Sequence, residues 1–421
     1  MGIEIEAAGR LKEAQDRTEL FTALTEWLQT KLEIPPLRVA VGEDYLHAVV
    51  HPAAEPLVVA VRPTGELLCF ASTGAAGPGY HIYAAEIIKA LGAEFGVEWE
   101  SQRDTTGYLE SADMEAVTPK MTRWLQDTAK VSLEELEKGE YSQISLSMPS
   151  SWSPVVEAPV LTPMGPREKE WLQAAANDPE EAIDVWPWRT PGRNPEFYLG
   201  LAVSLMWMEA VWREPLDEME HSTQAIISGA LQQAHEADSE LPIPWLEWEE
   251  VGENLRERPG APSLDLKEKV FHEARQEPER ERIGYRRHEI VHRLPGGWAI
   301  RLEGDLSTGW EEEMWYARNG VRDVHLSPIR RPASAAPFKY GPDEGAPLEI
   351  QVPGAEVQGR MRKVERPEGT FWVGLAHYAV DEQELFLSVV SADEKRDQRW
   401  VLDKLTAVVP PPPLEEDPKE E

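Results

Sequence analysis

Residues 282–302, RIGYRRHEIVHRLPGGWAIRL, contain His288, Glu289 and His292 in the H-E-x-x-H order of zinc-dependent hydrolases. That chemistry needs a helix. There, two imidazoles four residues apart share a face and reach one Zn²⁺ at about 2.0–2.1 Å, with the glutamate as general base. Glu312 or Glu313, about twenty residues downstream, is the carboxylate available as a third ligand. On a strand the same histidines stand roughly 13 Å apart, at about 3.3 Å of rise per residue, too far to share an ion. Ile290, His292 and Leu294 alternate up to Pro295-Gly296-Gly297, and Trp298, Ile300 and Leu302 mirror them beyond it. Pro295 and Trp298 occupy the places of the glycine and third histidine in the extended metzincin motif, and Gly284 interrupts any helix from upstream. The expectation is a hairpin with neither a catalytic set nor a metal site. A zinc hydrolase using His288, Glu289, His292 and Glu312 is the alternative.

Three other groups of residues have chemical potential. Cys69 lies in the apolar run ELLCFAS, with His47 and His81 as possible bases. A lone cysteine in such a run reads as a small buried hydrophobe. The loop STGAAGPGYH leads into a helix, a geometry in which backbone N–H groups can hold an anion. It lacks the Lys-Ser/Thr of a P-loop and the G-x-G-x-x-G of a dinucleotide site. Gly77, Gly79, Tyr80 and His81 are therefore candidate binding residues without an assigned cofactor. RDTTGYLES, residues 103–111, reads as a second surface loop beside them. Trp186 and Trp188, in DVWPWRTPG, are either exposed binding anchors or caps on a helical core.

The elements that must position these residues indicate an α+β multi-domain chain. Residues 1–148 read as an α+β domain. In it, Leu20, Leu24, Trp27 and Leu28 mark a helix, and LRVAV, YLHAVVH, LVVAVR and ELLCFAS form an antiparallel meander. Residues 149–166, rich in Pro and Ser, read as a linker, and 167–260 as a helical domain. The apolar stretch 197–212 contains Glu209 and falls short of the ~20 residues a membrane span needs, so a buried helix is expected. Residues 261–408 read as an antiparallel β-rich α+β domain with a hairpin at Asn319-Gly320 and a closing helix, and 409–421 as a disordered acidic tail. The LPGGW turn, the late strand ELFLSVV and the Trp-bearing helix KRDQRWVLDKL follow an order that resembles the PsbP-like α/β sandwich over about 284–408. That resemblance implies a binding or assembly module and carries over no functional residue.

Composition narrows the function. The net charge is −34, with residues 1–150 at −12, 151–260 at −14 and 261–421 at −8. Such a surface repels nucleic-acid phosphates and accelerates encounters with cations, unless it serves solubility or salt tolerance alone. One cysteine allows no internal disulfide, and the N-terminus lacks a basic start followed by an apolar run. A cytoplasmic protein without cofactor, direct nucleic-acid binding or membrane attachment is expected. Its expected function is non-catalytic binding of a basic protein, as in a bacterial immunity or defence-associated adaptor. An assembly factor or scaffold is a further alternative.

Overall fold

Period-two burial builds the N-terminal sheet. The computed structural model describes residues 2–12, 16–139, 141–331, 338–341, 344–367, 369–392 and 397–412. The chain begins with β1 (Glu4–Leu11), α1 (Arg17–Thr30), β2 (Arg38–Val41), β3 (Tyr45–Val49), β4 (Leu57–Val61), β5 (Glu66–Ser72), α2 (Pro78–Glu94) and β6 (Val97–Asp104). The short α3 (Tyr108–Ser111) and the long α4 (Val117–Lys138) follow. The meander β2–β5 forms as expected, and β1 and β6 extend it to a six-stranded antiparallel sheet of order β2-β3-β4-β5-β1-β6. Leu46, Leu57, Val59, Leu67, Cys69 and Ile5 project into the core from one face. Helix α1 adds Leu20, Leu24, Trp27 and Leu28, and Asp16 caps it by accepting the N–H groups of Thr18 and Glu19.

The stretch read as a linker is built into sheets. β7 (Ile144–Ser145), β9 (Val160–Thr162) and β10 (Gly165–Arg167) form one three-stranded sheet, while β8 (Trp152–Pro154) joins another. Val160, Leu161 and Thr162 are fully buried, so proline-rich composition conceals a core strand here. Pro154 and Pro166 occur in the outermost strands β8 and β10, where a missing donor is tolerated. The run YSQISLSM contributes only the two residues of β7.

Five further helices follow: α5 (Lys169–Asn177), α6 (Pro195–Met208), α7 (Glu218–Ala237), α8 (Trp245–Leu255) and α9 (Leu264–Ala274). Helix α6 is the buried apolar helix expected, started by Asn194, whose side chain accepts the Phe197 N–H at 2.8 Å. Among the described residues no helix is long and apolar enough to cross a membrane. Two compact units result. The first comprises Met1–Met148, Glu157–Ala210 and His221–Gly284. The second comprises Pro149–Val156, Val211–Glu220 and Tyr285–Glu421. The N-terminal sheet and the helices thus share one unit, and the boundary read at 260 falls after Gly284.

The second unit contains β11 (Glu289–Arg293), β12 (Ala299–Glu303), β13 (Ser307–Glu311), β14 (Met314–Arg318), β15 (Arg322–Arg330) and β16 (Ala346–Leu348). β17 (Glu356–Arg366), β18 (Gly369–Val380), β19 (Gln383–Ser391), α10 (Asp397–Leu405) and β20 (Val408–Val409) complete it. The strands form a four-stranded sheet, β20-β12-β11-β8, and a seven-stranded one, β13-β14-β15-β19-β18-β17-β16. Trp298, Ile300, Trp315, Leu326, Tyr378 and Leu387 fill the core with α10 closing over them. A Cβ on Gly374 would lie 2.5 Å from Val401 Cγ1, so only glycine lets α10 sit this close to β18. The Asn319-Gly320 turn joins β14 to β15, with the Asn319 side chain accepting the N–H groups of Val321 and Arg322. The expected tail begins with β20, and residues 413–421 lie outside the described part.

Candidate functional site

Glu289–His292 of the H-E-x-x-H stretch lie in β11, and His288 is the bend residue just before the strand. Ile290 pairs with Leu302 and His292 with Ile300, so the backbone is extended across the motif. His292 is only 6% exposed, its ring 5.1 Å from that of Trp315. Burial, assisted by the Arg286 charge, lowers the His292 pKa to about 3. Glu289 is engaged by Arg301, at 2.6 Å from Nε, and by Lys404, at 3.6 Å. Lys404 also contacts Glu303, which accepts the Trp400 indole N–H at 2.8 Å. Glu312 sits in the turn between β13 and β14 with φ of 56°. Among the described residues, no three His, Cys, Asp or Glu side chains converge as a metal site would require. The helical geometry that the zinc chemistry demands is not formed.

The glycine loop and the two tryptophans do meet, in the interior of the first unit. The Gly79 N–H donates to the Trp188 carbonyl at 3.0 Å, and the Trp188 N–H to the Ala76 carbonyl at 2.9 Å. The Trp186 indole donates to the Gly74 carbonyl at 2.9 Å. A Cβ on Gly77 would lie 2.7 Å from the Trp188 carbonyl oxygen, and one on Gly79 only 2.3 Å from Trp188 Cδ1. These glycines admit indole rings rather than an anion, and the Trp188 carbonyl takes a donor at the start of α2. Trp186 and Trp188 are 3% and 0% exposed, which corrects their reading as surface anchors. Trp188 packs against Phe197, Tyr83, Tyr80 and His51, with centroids 4.6–6.1 Å away. Among the described residues the Tyr80 hydroxyl has no hydrogen-bond partner.

His81 is fully buried as well. Its Nδ1 lies 2.8 Å from the Thr73 hydroxyl, and its Nε2 lies 2.7 Å from the Thr106 hydroxyl and 3.0 Å from Asp104. Asp104 also accepts the N–H groups of Thr106 and Leu109, each at 2.7 Å. Burial would raise the Asp104 pKa. The His81 hydrogen bond and charge, with the two N–H donors, outweigh it and hold the carboxyl well below its usual range. Threonine, histidine and aspartate are the residue types of a nucleophilic relay. However, the Thr73 hydroxyl donates to the Ile3 carbonyl at 3.1 Å and is 0% exposed, so no substrate reaches it. The group acts as a joint tying β1, β5, α2 and β6. Sequence reasoning missed Thr73, Asp104 and Thr106 as its members, and no spacing rule marks residues so far apart.

Cys69 faces the core, and burial pushes its thiol up to about 12, leaving little thiolate at neutral pH. His47 lies on the other face of the sheet, its ring 4.5 Å from Tyr45.

An accessible feature lies on α8 and α9. A groove of about 250 Å³ is lined by Trp248, Gly252, Pro262, Val270 and Phe271, and its charged lining residues are Glu249, Glu253, Arg256 and Lys267. Phe271 is 54% and Leu264 73% exposed, seven residues apart and so on one helical face. Glu253, Glu257, Asp265 and Glu268 are exposed around them. Arg275 stacks on Phe271 at 4.0 Å while pairing with Glu249 at 2.7 Å. The fully buried Glu247 binds Arg280 and accepts the Ile283 N–H at 2.9 Å, fixing the segment after α9 onto α8. The sequence signal for this groove was weak: Phe271 adjoins Val270, which carries the inward face.

No family model matches the chain, and no curated protein sequence matches it.

Proposed function

We propose that this chain is a non-catalytic protein-binding protein whose α8–α9 face takes an amphipathic, positively charged helix of a partner protein. The supporting observation is the exposed pair Leu264 and Phe271 beside a groove with apolar walls, whose charged lining sets Glu249 and Glu253 beside Arg256 and Lys267, with the exposed carboxylates of Glu257, Asp265 and Glu268 close by in the chain. Apolar side chains at helical spacing would fill the groove, and flanking Lys or Arg would meet Glu253, Glu257, Asp265 and Glu268. The net charge of −34 favours the encounter from a distance. Masking of a cationic nuclease or toxin, the task of an immunity or defence adaptor, suits this chemistry. The interior placement of His81, His292 and Cys69 supports binding over catalysis. For the second unit, the hairpin at Pro295–Gly297, the late strand β19 and the Trp400-bearing helix keep a PsbP-like binding or assembly role as a proposal.

The test is fluorescence anisotropy with a labelled helical peptide carrying Leu at i, i+3, i+4 and i+7 and Lys elsewhere. Its affinity should drop at least tenfold on raising salt from low to moderate ionic strength, and again with Phe271→Ala or Glu253→Lys. Affinity indifferent to salt and to both substitutions would refute the assignment.

A further inference from the structure

We propose that a cleft at the end of the seven-stranded sheet, in the second unit, is a binding site for an extended, proline-rich peptide with a basic flank. The cleft has a volume of about 440 Å³, and Pro295, Trp298, Pro328, Ile329, Val380 and Pro411 supply its apolar walls. Three pieces of backbone shape it. The Pro295–Gly297 turn has both glycines at positive φ, 77° and 80°. The tight β18–β19 turn puts Asp381 at φ 51°. The end of β15 contributes Ile329, which is 44% exposed.

The chain itself shows which chemistry fits. After β20 pairs with β12, the run Pro410–Pro412 continues along the cleft. Pro410 Cγ lies 3.6 Å from where a Gly354 Cβ would be, and Pro411 Cβ lies 3.1 Å from a Gly297 Cβ. The first is an ordinary contact distance, whereas at Gly297 the missing side chain makes room for the Pro411 ring. Pro411 is buried and forms one wall, and the open volume lies beside it. A second proline-rich strand in polyproline II conformation is the ligand such a wall accepts, because its rings are pre-ordered and its backbone needs no ladder partners. The rim adds charge selection. Asp381 and Glu382 are both exposed there, and among the described lining residues they face one guanidinium, that of Arg330, which lies 3.3 Å from Glu382. A Lys or Arg flanking the prolines meets that excess of carboxylate. The site differs from the α8–α9 groove in ligand conformation and in residues, so each can fail alone.

The experiment uses the full chain and a fluorescein-labelled peptide, PPPPLPRR, read by anisotropy. Saturable binding is expected. Ile329→Glu, a surface change whose folding is checked by circular dichroism, should weaken it at least tenfold. Asp381→Asn should weaken PPPPLPRR severalfold and leave PPPPLPAA unchanged, while Phe271→Ala should alter neither. The proposal is overturned if GPGPLGRR binds as tightly as PPPPLPRR, or if Ile329→Glu has no effect. Binding only after the chain is cut behind Pro412, which keeps the Pro411 wall, would assign the cleft to the chain's own residues 413–421. Self-association lost on Ile329→Glu, without peptide binding, would assign it to a second copy, and either outcome rejects the partner peptide.

Discussion

The interior of the first unit turns on single atoms. Gly79→Ala would place a methyl 2.3 Å from the Trp188 ring, and overpacking of this kind costs about 1–3 kcal/mol, measurable by urea denaturation. Tyr80→Phe removes a buried hydroxyl that has no partner, so its melting temperature should hold or rise. Asp104→Ala strips the Thr106 and Leu109 N–H groups and the His81 ring of their acceptor, for a loss of about 3 kcal/mol or more. Histidine burial sets a pH dependence. His51, through burial, and His292, through burial and the Arg286 charge, have folded pKa values near 3 against 6.5. The unfolded chain therefore binds more protons between those values, and stability falls as pH drops from about 6.5 towards 3. His292→Leu should flatten that slope in a pH series of denaturation midpoints.

Among the elements, amphipathic periodicity was readable and composition misled. Leu20, Leu24, Trp27 and Leu28 repeat at helical spacing and form α1, and the apolar alternation around Pro295-Gly296-Gly297 forms the β11–β12 hairpin. The strands β1 and β6 escaped notice because EIEAAGRL and VEWESQRD place charged residues on the solvent face and keep few large apolar ones inside. The supposed linker fared worse, since its prolines in β8 and β10 drew attention from Val160 and Leu161. A linker would be the first place a protease cuts. Residues 160–162 should instead resist limited chymotrypsin digestion, and Leu161→Ala should cost about 2–5 kcal/mol. Of the candidate site residues, the meeting of Gly77, Gly79 and Tyr80 with Trp186 and Trp188 had no local signal. Nothing in DVWPWRTPG specifies a partner so far upstream, and only tertiary packing brings them together.

For the molecule as a whole, 76 acidic against 42 basic residues make self-repulsion the largest long-range term. Added salt screens it over about 8–10 Å at physiological strength. The melting temperature should therefore climb as sodium chloride goes from low to moderate concentration, and a flat response would show that local ion pairs already neutralise the field. The same screening weakens capture of a cationic helix, so stability and binding should respond to salt in opposite directions.

The position of β8 has a bearing on how this protein can be handled and inherited. Its residues Trp152–Pro154 hydrogen-bond to β11, which is synthesised only after most of the first unit has emerged. A gene fragment starting at Tyr285 would encode a sheet with a bare, aggregation-prone border, and recombination could not move that half as one contiguous cassette.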